Sequence, residues 1–76
     1  MRTTHEKRRL VAGALVTLGD ASRLEIAGAT SLGSRSVGNA LRWLQRKGLA
    51  EYRGAGPNWH LTATAEELVD ALRGRR

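Results

Sequence analysis

Two sets of residues in and just after SLGSRSVGNALRW, positions 31–43, have types and spacing that bear on chemistry. The first is Gly33 with Gly38, which keep the spacing of a phosphate-cradling GxxxxGK[ST] loop, where the lysine reaches the terminal phosphates and the hydroxyl holds magnesium. Asn39 and Ala40 stand where that lysine and hydroxyl belong, so both the cation and the metal ligand are missing. A nucleotide enzyme also needs a parallel sheet around the loop, and 76 residues leave little room for one. The second set is Arg35, Asn39, Arg42 and Arg46. Wound at about 100° per residue, they fall together on one side of a helix, opposite Val37, Ala40, Leu41 and Leu44. One face is suited to burial and the other to meeting a partner.

The rest of the chain offers little other chemistry. There is no cysteine, hence no disulfide and no thiolate metal site. His5 and His60 are far apart and lack partners, so both read as solvated surface groups and no metal or cofactor is expected. No nucleophile stands with a base and no carboxylate pair marks a cleft, which argues against an enzyme. Lysine and arginine number 13 against seven acids, a formal net charge of +6, and this balance favours an anionic partner. Nearly all the cations are arginine, whose planar fork grips phosphate or a guanine edge bidentately. No apolar run is long enough for a membrane span, and residues 2–9 are too polar and basic for a signal peptide. An intracellular, cytoplasmic protein is expected.

The elements that must position the two-faced segment follow from caps and periodicity. Thr3-x-x-Glu6 is a capping box, and Leu10, Val11, Ala14, Leu15 and Leu18 form one apolar arc, predicting a helix over about 5–18. Its far side carries Ala12, Gly13 and Val16, small residues either bare in solvent or open to another helix. Ser22-x-x-Glu25 starts a short helix over about 22–30, with Leu24, Ala27 and Ile26 turned inward. Three residues later the two-faced helix runs over about 34–47, capped by Gly33 or Ser34 and stopped at Gly48. Trp43 lies on its flank beside Ser36 and Lys47, placed to cover the hairpin, join an interface or stack on a partner. Residues 49–53 and 59–62 then read as strands around a Gly/Pro/Asn loop, with Trp59 and Leu61 inward and His60 outward. Gly54 and Gly56 belong to that turn, not to a dinucleotide loop, because no helix follows directly. Thr64-x-x-Glu67 begins a last helix over about 65–73 with the stripe Ala65, Leu68, Val69 and Leu72, followed by a basic tail through Arg76. One domain is expected, mainly α with a small β-hairpin.

This order of elements resembles the winged helix-turn-helix family, especially small bacterial and phage regulators of the multiple-antibiotic-resistance type. Ser22-Arg23-Leu24-Glu25-Ile26-Ala27 is similar to the family's hydroxyl-x-x-Glu-Leu-Ala start of the second helix. Leu32-Gly33-Ser34-Arg35-Ser36-Val37 resembles its Leu-Ser-x-Ser-Thr-Val opening of the recognition helix. Leu41-x-x-Leu44-x-x-x-Gly48-Leu49 matches the run into the wing, and Trp59-His60-Leu61-Thr62 resembles the strand that leaves it. The likeness spans roughly residues 8–72. Ser31 stands where the family commonly has the turn glycine, so the turn is expected to be slightly shifted or to be shaped by Gly33 instead.

The resemblance implies a sequence-specific regulator of transcription, a repressor, that places helix 34–47 in the major groove of double-stranded DNA. It gives Arg35, Asn39 and Arg42 to base edges and Ser34, Ser36 and the wing residue Arg53 to phosphates. Arg46 and Lys47, at the far end of the helix, would touch backbone. A homodimer is possible, through the small-residue patch of the first helix, and no small-molecule effector is implied, since long extra helices and a ligand pocket are missing. Two other readings stay open: an accessory or architectural DNA-binding protein of recombination, and a module whose helix or wing docks another protein.

Overall fold

The computed structural model describes residues 3–54 and 58–73, with the side chain of Ala65 left out. The hairpin tip at 55–57, the tail beyond Arg73 and the inward placing of Ala65 lie outside the described residues. Helices α1 (Thr4–Leu18), α2 (Arg23–Thr30) and α3 (Ser34–Arg46) precede strands β1 (Ala50–Tyr52) and β2 (Trp59–Leu61), and α4 (Ala65–Leu72) closes the order. The chain is mainly helical with a small two-stranded antiparallel sheet.

Three helices begin where their caps dictate. At Thr3, Ser22 and Thr64 the hydroxyl accepts the N–H three residues on, and the glutamates at 6, 25 and 67 return the bond to the cap's own N–H. Each box satisfies two of the backbone donors that a helix start leaves unpaired. Between the helices the core gathers Val11, Ala14 and Leu15 of α1, Ile26 of α2 and the stripe Val37, Ala40, Leu41 and Leu44 of α3, all buried. Leu49, Ala50 and Leu68 join from β1, its approach and α4.

Several inward and outward assignments are corrected. Leu24 is 75% exposed, whereas Ile26 is fully buried. Two positions on a helix are about 200° apart, so only one of the pair can face the core, and α2 presents Ile26 with Thr30 one turn on. Ala12 is buried, not part of an open patch, while Gly13 and Val16 are exposed. The reason is that α1 touches α2, α3, α4 and β2, which widens its buried arc to one side, and Leu18 at its end is exposed. Val69 is exposed too, because α4 rests on the core through Leu68, with Ala71 and Leu72 half-buried beside it.

The α2–α3 connection is Ser31, Leu32 and Gly33. Ser31 itself takes the left-handed conformation, φ 60° and ψ 22°, and its N–H donates to the Ala27 carbonyl. Gly33 has an ordinary extended backbone at φ −68° and serves as the cap of α3, so the turn is made at the serine and not at the glycine. Buried Thr30 pins it, donating to the Ile26 carbonyl at 2.8 Å and accepting the Leu32 N–H at 3.3 Å. A residue with a Cβ resists the left-handed region by about 1–2 kcal/mol, and glycine gives part of that back through its freer unfolded chain. Ser31→Gly is therefore expected to stabilise the fold by about 0.5–1 kcal/mol. Urea denaturation measures it; an unchanged or lower midpoint at constant slope would contradict a strained turn.

The hairpin is tied to the helices at both ends. Gly48, at φ 73°, reverses the chain after α3, and Thr62 returns to it, its hydroxyl donating to the Gly48 carbonyl at 3.0 Å and its N–H to the Leu49 carbonyl at 2.9 Å. The register pairs Ala50 with Leu61, Glu51 with His60 and Tyr52 with Trp59. Ala21, in the α1–α2 connection, adds a two-bond bridge to Trp59 on the other edge of β2, at 3.0 and 2.9 Å. The hairpin is thereby held against the start of α2 as well as the end of α3.

Candidate nucleic-acid interface

Helix α3 is held on three sides, and the fourth is the outward face. Its buried stripe lies on α1, α2 and β1. Arg35, Asn39, Arg42 and Arg46 project from the other side and are all exposed. Ser34 is exposed at the first turn, Ser36 is half-buried on the α1 side, and Lys47 is exposed as the C-terminal cap. Arg35, Asn39, Arg42 and Arg46 thus share the outward face, while Ser34 lies on one flank of α3 and Ser36 and Lys47 on the other.

Its electrostatics are set by where the acids are. Glu6, Glu25 and Glu67 close capping boxes, Asp20 pairs with Arg53, Glu51 approaches His60, and Glu66 and Asp70 lie on α4. Among the described residues no acid pairs with Arg35, Arg42, Arg46 or Lys47. Unneutralised guanidinium groups spaced along one exposed face concentrate positive potential there. In addition, α3 begins at Gly33 with no side-chain cap, so its first-turn N–H groups keep donor capacity beside the Ser34 and Ser36 hydroxyls.

Arg53 is placed differently from the rest. It follows β1, its N–H donates to the Asn58 carbonyl, and its guanidinium stands 3.9 Å from the Asp20 carboxylate with both groups exposed. A pair this open contributes little to stability and leaves the arginine exchangeable between Asp20 and another anion.

Sequence reasoning missed the cations that flank α3. On the hairpin side, Arg23 of α2 lies across Gly38: a Cβ there would meet its Nη1 at 3.4 Å and its Cδ at 3.6 Å. A methyl there would rest against the arginine, which crosses the helix beside Arg42. Both line a groove of about 570 Å³ whose walls include Leu24, Gln45, Tyr52 and Trp59. On the other side, the Arg8 guanidinium of α1 lies over the Trp43 ring at 4.4 Å from its centroid, with Lys47 Nζ at 5.9 Å. Trp43 is thus half-buried under two cations, packed on the core from its inner side. Only the glycine in the middle of α3 hinted at a crossing side chain; nothing local signals the Arg8 stack.

The histidine expectation holds for His5, which is exposed, and fails for His60. The His60 side chain is only 12% exposed, because it shares a cavity with Leu15, Val16, Gly19 and Asp20 at the end of α1. Its Nε2 lies 3.2 Å from Glu51 Oε1 across the strand pair, and its Nδ1 has no partner among the described residues. Asn58 is half-buried, and its amide donates to the Tyr52 hydroxyl at 3.4 Å. Tyr52 and Trp59 pack with ring centroids 5.3 Å apart, tilted by 59°. Among the described residues no group of three or more histidine or acidic side chains is placed to hold a metal ion, and no helix is long and apolar enough to cross a membrane. No family model matches the chain, and neither does any curated protein or solved structure.

Proposed function

We propose that the protein is a winged helix-turn-helix DNA-binding regulator, acting inside the cell as a repressor, with α3 in the major groove and the β1–β2 hairpin as the wing. The observation that carries this reading is the outward face of α3: Arg35, Asn39, Arg42 and Arg46 exposed in a row, with no acid paired to its cations among the described residues. Arginine suits the O6 and N7 acceptors of guanine, and asparagine suits adenine. Ser34, Ser36, Arg46, Lys47 and Arg53 take phosphates, which fix the register without reading sequence. Arg23 joins them from α2.

A domain of this size contacts few phosphates and binds weakly alone at physiological salt. Two copies on a palindrome with half-sites about one helical turn apart would restore affinity. The test is selection from a random duplex library, followed by binding of the enriched sequence and a scrambled control at two salt concentrations. A reproducible motif that outcompetes the control at the higher salt is expected. With about four to six phosphates neutralised, log K should fall against log salt with a slope of about −0.9 per phosphate. Salt-sensitive binding without a motif would replace the regulator by an architectural protein, and no binding would refute the DNA reading.

A protein-docking module is the second reading, favoured by the exposed Leu24 and Tyr52 on the walls of the groove beside α3. An interface core is more apolar than its rim, and here Arg23 and Arg42 share the groove with them. On that reading Leu24→Ala, and not loss of the α3 arginines, would remove the partner.

A further inference from the structure

Between the first turns of α1 and the middle of α3 lies a small cavity of about 100 Å³, lined by Thr4, Lys7, Arg8, Ser36, Asn39 and Ala40. The space is large enough for water or for one tetrahedral oxyanion. Among the described residues its polar lining is two cations, two hydroxyls and an amide, with no acid. Glu6, the nearest acid in sequence, has its carboxylate turned back to the Thr3 N–H at 2.9 Å. Arg8 lines the cavity, and its guanidinium lies on the Trp43 ring, 4.4 Å from the centroid. A flexible arginine loses rotamer freedom when it binds an anion; one already stacked on an aromatic face has lost part of it.

We propose that this cavity is the seat of one backbone phosphate of duplex DNA, held by Lys7 and Arg8 of α1 with Ser36 and Asn39 of α3, and that Trp43 is the positioning residue for Arg8. The proposal rests on the DNA reading above and extends it to a second helix. With α1 gripping the strand on one flank of α3 and Arg23 on the other, the recognition helix is fixed in rotation as well as depth. Asn39, at the edge between the cavity and the outward face, couples the phosphate seat to the base-reading row.

The experiment measures affinity for the selected duplex and for its scrambled control across a salt series, in the full chain, with circular dichroism confirming each variant's fold. Lys7→Ala and Arg8→Ala are each expected to weaken binding about tenfold on both duplexes, and to reduce the salt slope by about 0.9. Arg8→Lys keeps the slope, since the charge remains. Arg9→Ala removes an equal charge from an exposed position of α1 outside the cavity and is expected to leave the slope within half of that change. Trp43→Leu weakens binding in the unsubstituted background and adds nothing to Arg8→Ala, the signature of a residue acting through another. If Arg9→Ala matches Arg8→Ala, the charge of α1 acts diffusely and the seat is wrong. Full affinity in Lys7→Ala and Arg8→Ala, alongside loss in Arg42→Glu, overturns the seat while the DNA reading stands. Failure of the unsubstituted protein to bind any duplex overturns both.

Discussion

Arg42→Glu is expected to lower affinity for the selected duplex by about a hundredfold or more, with the far-UV circular dichroism spectrum and the thermal midpoint unchanged. The size follows from adding two effects. Loss of a bidentate arginine–guanine contact costs about 1–3 kcal/mol. The new carboxylate then faces phosphate, and replacing one positive by one negative charge removes a released counterion and adds repulsion. The fold is spared because Arg42 is exposed and pairs with no acid among the described residues. The same exchange at Arg35, two turns nearer the start of α3, is expected to act in the same direction. The two together should leave binding too weak to detect by fluorescence anisotropy at physiological salt. Filter binding or anisotropy on the selected and scrambled duplexes separates the roles: a base-reading arginine loses its preference for the selected sequence, whereas a phosphate contact loses affinity for both alike. Retained affinity in both variants would move the reading face off α3.

What was legible in the sequence is what is decided locally. Thr3 with Glu6, Ser22 with Glu25 and Thr64 with Glu67 each lie three residues apart, within reach of one turn, and all three boxes close as their spacing demands. The stripe Val37, Ala40, Leu41 and Leu44 was likewise legible, because thirteen residues give more than three turns in which the polar and apolar faces must separate. In α2, eight residues span barely two turns, too few for periodicity to choose between Leu24 and Ile26. The choice falls to tertiary packing, which places Ile26 over the core and leaves Leu24 at the groove. The same holds for Ala12, buried because α1 is covered on more sides than its strongest apolar arc suggests.

For the site, residue type and helical phase told which side chains leave α3 together, since that is a property of one helix. They could not tell what lies alongside. Arg23 over Gly38, Arg8 on Trp43 and the Ala21–Trp59 bridge join segments separated by 15 to 38 positions in the chain. Such contacts exist only once three elements have docked. His60 shows the same dependence in the opposite sense: strand alternation turned it outward, and the end of α1 covers the place where it points.

That division between an outward row and a buried stripe on one helix yields the largest stability effect. Leu41 has no exposed surface and belongs to a core of thirteen buried apolar residues among the described residues. Leucine-to-alanine exchanges at such sites cost about 3–5 kcal/mol, because the transfer free energy is lost and a cavity remains. A 76-residue domain has about 4–11 kcal/mol in total at about 0.05–0.15 kcal/mol per residue. Leu41→Ala is therefore expected to remove a large part of the stability and to lower the thermal midpoint by roughly 12–40 °C. Leu24→Ala, made at a leucine that is 75% exposed, should stay within about 0.5 kcal/mol of the unsubstituted protein. The pair compares one chemical change at two burials, so equal midpoints would mean that α2 and α3 are not packed as described. At a temperature where Leu41→Ala is still folded, its DNA affinity should approach that of the unsubstituted protein, because the stripe only carries the arginine row and does not touch the ligand. Arg42→Glu must show the reverse, full stability without binding, and the two variants together separate what holds α3 in place from what it holds out to its partner.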